Sequence, residues 1–193
     1  MPMITGGCEN SRISAANKTA LARSVHLTDT VVFVDGIVRT GKGMLGPILS
    51  SFERVEIERY EEIIEYVGVL YRMGKIERDA AIVLLKTQTD THLFYSMIGR
   101  NTNFRFSDHS SVWRNPTPLR YFRRLVARDG DAVVQRVNRE RPIYQNQTHD
   151  QLANFGLYYE ALGDRLRIVE MIRHTPRRSH TFHRPVFLRP PRS

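Results

Sequence analysis

A helix-rich α/β fold with a mainly parallel central sheet and flanking helices follows from three features of the sequence. Residues 31–35 (VVFVD) are a short, mostly β-branched run that feeds a glycine-spaced turn. Beyond it lies a segment with apolar residues at helical spacing, Met44, Leu45, Ile48 and Leu49. Residues 61–73 and 79–98 carry longer helical periodicities. A second apolar run, LRIVEMI at 166–172, reads as another buried strand, the pattern of a parallel sheet covered on both faces.

Taken in order, residues 1–29 are rich in Ser, Thr, Asn, Ala and Gly without periodicity and read as a flexible leader. Cys8, the only cysteine, lies within it as a surface thiol, which excludes a disulfide scaffold and a cysteine-rich zinc site. The segment RVEIERY at 54–60 alternates polar and apolar residues, as a second strand or as an extended lead into the next helix. Helix 61–73 places Ile63, Ile64, Val67, Leu70 and Tyr71 on one side, with Gly74 as its stop; the longest helix, 79–98, ends before Gly99.

The stretch NTNFRFSDHSSVWR at 101–114 breaks this periodicity, as connections at substrate sites often do. Trp113 within it reads as an ordinary buried aromatic. After the Asn-Pro-Thr-Pro punctuation at 115–118, residues 119–127 begin a helix with Arg120, Arg123 and Arg124 on its polar side. Residues 132–138 read as helical, 142–144 as extended, and 149–162 as a helix announced by Thr148 and Asp150. Residues 175–193 collapse into an Arg/Pro/His tract, expected to be disordered.

The formal charge of +9 invites a nucleic-acid reading, but residues 175–193 hold five arginines and no acid, which leaves only +4 for the residues before them. Such a body suits a small polyanion at least as well, and nucleic acid is expected only through the basic tail. No apolar run approaches the ~20 residues of a membrane helix. No basic start followed by an apolar core marks a secretory signal, so a cytoplasmic location is expected.

The loop from Gly36 to Gly43, GIVRTGKG, matches the phosphate-binding pattern G-x-x-x-x-G-K-[ST] except at its last position. Its glycines let backbone N–H groups converge, the following helix adds a positive end, and Arg39 and Lys42 add full charges. The missing hydroxyl at 43 is the group that would hold a magnesium ion against phosphates. The loop therefore predicts an anion site without a metal.

Together with its neighbours this loop resembles that of a known family. VDGIVRTGKGMLGPILSS at 34–51 looks like the opening strand, loop and helix of sulfotransferases, bacterial sulfotransferase-like proteins in particular. LRIVEMIRH at 166–174 looks like that family's later strand, and NQTHDQL at 146–152 resembles the segment that often carries its catalytic histidine. The resemblance spans 31–174 and implies a P-loop-like three-layer fold, with 3′-phosphoadenosine 5′-phosphosulfate as co-substrate and a small-molecule or glycan acceptor. It implies a cofactor site made of Gly36, Arg39, Thr40, Gly41, Lys42, Gly43 and Arg173. Arg39, Thr40 and Gly41 match the basic, hydroxyl and glycine positions of the phosphosulfate loop, and Arg173 matches the arginine on the 3′-phosphate. His149 is implied as the base and Lys42 as a catalytic cation.

Lys42 and Gly43 stand where the family has hydroxyl residues, and the serine expected after Arg173 is absent. The family also continues well past this strand, so residues 30–174 are expected to form a domain incomplete on its C-terminal side, with doubtful activity. Two alternatives stay open. One is a nucleotide-dependent phosphotransferase, favoured by Lys42 and disfavoured by Gly43. The other is a non-enzymatic protein that binds anions or nucleic acid through its basic tail. Asp108 and His109 form a second acid/base candidate, and His174, His180 and His183 lack the carboxylate or cysteine partner a metal cluster needs.

Overall fold

The computed structural model describes residues 20–108, 110–128 and 130–173. Three parallel strands, β1 (Thr30–Asp35), β2 (Ile143–Gln147) and β3 (Leu166–Glu170), form a sheet in the order β2-β1-β3. Among the described residues, six α-helices flank it: α1 (Lys42–Leu49), α2 (Glu62–Arg72), α3 (Arg78–Met97), α4 (Pro118–Leu125), α5 (Asp131–Glu140) and α6 (Phe155–Leu162). The expected helix-rich α/β architecture with a parallel sheet is present. No described helix is long and apolar enough to cross a membrane.

The topology locates a site before any side chain is considered. The chain leaves β1, pairs β2 on one side and then crosses to pair β3 on the other, so β1 is central. Pairing of Val34 with Gln147 and of Asp35 with Glu170 brings the carboxyl ends of all three strands to one edge. In open parallel sheets a crevice forms outside such a switch point.

The core lies between sheet and helices. Val31 and Phe33 of β1, Tyr144 of β2, Ile64 and Val67 of α2, Leu85, Leu93 and Met97 of α3, and Tyr158 and Leu162 of α6 are buried in one cluster. Phe33 meets Tyr158 edge-on at 5.5 Å. Burying each large apolar side chain contributes about 1.5–3 kcal/mol, which outweighs the modest intrinsic helix preferences of these segments.

Several elements differ from expectation, each for a visible reason. Residues 20–29 of the expected leader dock on α3. Asp90 accepts bonds from the backbone of Leu27 and Thr28, the Thr28 hydroxyl and the Arg23 guanidinium, and Thr28 is wholly buried. Residues 54–60 do not form a full strand; bridges from Val55 to Ile143 and Arg59 to Asn146 add them in parallel to the outer edge of β2. The extended segment expected at 142–144 is the start of β2. Its polar Gln145 and Asn146 are fully buried because sheet neighbours lie on both sides.

The helix expected over 149–162 begins only at Phe155, because the Thr148 hydroxyl and Gln151 N–H serve the Asp35 carboxyl instead of a helix start. β3 is less buried than predicted: only Leu166 is buried, since β3 lies at the edge of the described sheet. Trp113 is not buried but 41% exposed, stacked on Phe106 at 4.7 Å. Arg124 does not lie on a solvated face: its guanidinium grips the buried Glu56 carboxyl at 2.5 and 2.9 Å.

Candidate functional site

The turn after β1 is built by backbone that only special residues tolerate. Gly36 has φ 137°, and a Cβ there would sit 2.6 Å from the Met171 carbonyl beyond β3, so glycine is required at this close approach. Gly41 precedes α1 with φ 97°, and Arg39 also takes a left-handed conformation, φ 69°. A Cβ at Gly41 or Gly43 would meet nothing within 4 Å, so the space beside these backbone groups is open. That space is a cavity of about 280 Å³ bounded by Arg39, Gly41, Lys42, Gly43, Gln147 and His149.

Lys42, the first residue of α1, is turned inward and 4% exposed. Its ammonium donates to the carbonyls of Gly36, at 2.6 Å, and Thr148, at 2.5 Å, and so ties the β1 loop to the chain leaving β2. Burial lowers its pKa, against the opposing charges of Asp35, Glu65, Glu170 and Glu58. Thr40 Oγ1 donates to the Ile37 carbonyl and braces the loop. Arg39 is exposed, and Arg173, beyond β3, donates to its carbonyl at 3.4 Å. The seven residues assigned to the anion site thus gather at the carboxyl ends of β1 and β3.

His149 joins them from the turn after β2. Asp35, fully buried at the end of β1, accepts from the Thr148 hydroxyl and the Gln151 N–H, both at 2.8 Å, and fixes this turn beside the β1 loop. Glu65 of α2 accepts from the His149 backbone N–H at 2.7 Å and lies 3.0 Å from Nδ1. In the Nδ1–H tautomer this contact is a hydrogen bond donated to Glu65, and Nε2 then carries the ring's lone pair. Tyr60 meets the ring edge-on at 4.9 Å.

A second cavity of about 580 Å³ adjoins the first and shares Gly43, Gln147 and His149 with it. Glu58, Arg59, Tyr60, Asp108 and Ser110 complete its walls. Here the polar-aromatic connection reaches the site through Asp108 and Ser110, while His109 lies outside the described residues. His174, His180, His183, Cys8 and the basic tail lie outside them as well. Among the described residues no group of three or more His, Cys, Asp or Glu side chains is placed to hold a metal.

Two site residues escaped the sequence reading. Glu65 sits in the first turn of α2 among other acids, where a solvated, dipole-complementing role is the ordinary one. Glu58 belongs to the segment 54–60, which alternates polar and apolar residues. It is 6% exposed, packed so tightly on α1 that a Cβ on Gly46 would overlap its carboxyl. One of its oxygens, Oε1, is buried without a hydrogen-bond partner. Burial pushes its pKa up to about 7 despite the charge of Lys42. The signal was Gly46, whose missing side chain leaves room on α1 for the Glu58 carboxyl.

Compared with known proteins, the chain gives no match to a family model, a curated protein or a solved structure.

Proposed function

We propose that this chain is a sulfotransferase-type protein with a P-loop-like three-layer fold, which moves a sulfuryl group from 3′-phosphoadenosine 5′-phosphosulfate to a hydroxyl or amine acceptor. The observation that carries the reading is His149, which lines both the loop cavity and the adjoining one while Glu65 fixes its Nδ1 side. One cavity offers cations and backbone N–H groups, the other polar walls for an acceptor.

The residues fit the co-substrate at the loop, where the space beside Gly41 and Gly43 is open and Arg39 and Lys42 supply charge. Arg39, Thr40, Gly41, Lys42 and Gly43 would hold its phosphosulfate end, Gly36 would shape the turn, and Arg173 would meet its 3′-phosphate. When bound, the co-substrate supplies the sulfuryl group and a bisphosphate leaving group. His149 Nε2 takes the acceptor's proton, and Glu65 stabilises the imidazolium so formed. Lys42 exchanges its hold on the Gly36 and Thr148 carbonyls for the developing negative charge. A small molecule or a glycan is the acceptor class that fits the open second cavity.

A phosphotransferase is the second reading, favoured by Lys42 opening α1 and by the four carboxylates that act on its charge. Titration calorimetry separates the two. Binding of adenosine 3′,5′-bisphosphate without magnesium is expected on the sulfuryl reading. Magnesium-dependent binding of ATP with no bisphosphate binding would replace it with the other.

A further inference from the structure

A third cavity, of about 640 Å³, shares no lining residue with the two at the strand ends. It lies against α4 and α5, with Arg120, Arg123 and Arg124 from the first and Arg136 and Glu140 from the second. The surrounding sequence is one-sided: residues 114–128 contain five arginines and no acid. Four guanidinium groups around one cavity repel one another unless anions intervene.

The fold supplies only part of that compensation. Glu56, 1% exposed, accepts from Arg120 at 2.7 Å and from Arg124 at 2.5 and 2.9 Å, so one carboxylate serves two arginines. Glu140 lies 4.0 Å from Arg124 but is shared with Arg139 at 3.4 Å. The Arg123 side chain is exposed, and its guanidinium has neither an ion pair nor a hydrogen bond among the described residues. Arg136 reaches only the Arg128 carbonyl, at 3.5 Å, and its Nε is buried without a partner.

A structural staple accounts for Arg120 and Arg124, which pin α4 to the segment beside β2. It does not account for Arg123 and Arg136. The staple also holds two of the guanidinium groups rigid, so little side-chain freedom is lost when an anion arrives. Planar guanidinium forks match tetrahedral oxyanions in paired hydrogen bonds, and the volume suits a ligand of nucleotide or disaccharide size.

We propose that the cavity between α4 and α5 is a second anion site, separate from the cleft at the strand ends, that binds a small molecule carrying several phosphate or sulfate groups. Arg123 and Arg136 supply the uncommitted charge, and Arg120 and Arg124 form its fixed wall.

The test uses the full chain with two probes, inorganic tripolyphosphate and a multiply sulfated disaccharide, each titrated by calorimetry and followed by amide chemical shifts. Saturable binding of either probe is expected, with shifts concentrated on 117–124 and 136–140. Tighter binding of tripolyphosphate marks phosphate as the natural group, and tighter binding of the sulfated sugar marks sulfate. The double variant Arg123→Ala/Arg136→Ala should weaken binding at least tenfold with an unchanged melting temperature, and Arg123→Lys/Arg136→Lys should recover part of it. Binding that is unsaturable for both probes overturns the proposal. So does binding that survives the double alanine variant, which would place the anion in the strand-end cleft or on residues 175–193. Shifts on 117–124 and 136–140 report this cavity alone, since it shares no lining residue with the strand-end cleft, so the transferase reading is tested separately by the bisphosphate titration.

Discussion

At the scale of single residues, two carboxylates of the cleft, Glu65 and Glu58, sit in opposite settings, one paired with His149 and one with a buried, unpartnered oxygen. Glu65 lies beside His149 Nδ1 and positions it. On the proposed sulfuryl-transfer reading, His149→Ala is expected to reduce transfer by about 10²–10⁴-fold, while bisphosphate affinity, read by calorimetry, stays within about threefold. Loss of binding together with rate would mean that His149 serves the loop rather than the acceptor. Burial raises the Glu58 pKa to about 7, and the sign of its linkage follows from that direction. Between the ordinary value of 4.5 and about 7, the folded chain keeps a proton that the unfolded chain releases. Its contribution is therefore full below 4.5 and is lost as pH rises through about 7, by at most ~3 kcal/mol. Glu58→Gln should raise stability in urea at pH 8 relative to pH 5, compared with the unaltered chain. An identical pH dependence in both would show that Glu58 ionises freely.

At the scale of elements, the segment beside β2 is joined to α4 by Glu56. Burial alone would raise the Glu56 pKa, but the hydrogen bonds and charge of Arg124, with Arg120 and Ser96, bring it below the usual carboxylate value. Its stabilisation is present above the ordinary pKa and fades as pH falls through the lowered one. Glu56→Ala leaves Arg124 buried and uncompensated, for a loss of roughly 3–5 kcal/mol by chemical denaturation; a loss under about 1 kcal/mol would show that water already reaches that guanidinium. These elements also show what a sequence discloses. β1, α2 and α3 were legible because apolar periodicity and burial coincide in them. Only the start of β2 was, as the extended 142–144, because Gln145 and Asn146 are polar yet buried, with the Gln145 amide donating to the Gly46 carbonyl and Asn146 Oδ1 accepting from the Glu61 N–H. Arg124 was misplaced because its partner is far along the chain, at Glu56.

Over the whole molecule, the order β2-β1-β3 brings three distant segments to one edge: the β1 loop, the turn holding His149, and Arg173. The loop was readable from glycine spacing alone. Its partnership with Glu65 and Glu58 was not, since both depend on how α2 and the segment at 55–59 pack. Lys42 also changes meaning. From sequence it is a free cation, whereas in the fold it bridges two carbonyls and holds the site together. Lys42→Thr should therefore lower the melting temperature even where bisphosphate affinity is kept, and an unchanged melting temperature would deny it that bracing role. The most direct test of the account is calorimetric titration of the full chain with adenosine 3′,5′-bisphosphate in the absence of magnesium. The account predicts one saturable site, weakened at least tenfold by Arg39→Ala and by Arg173→Ala. Absence of binding, or binding indifferent to both substitutions, would contradict it.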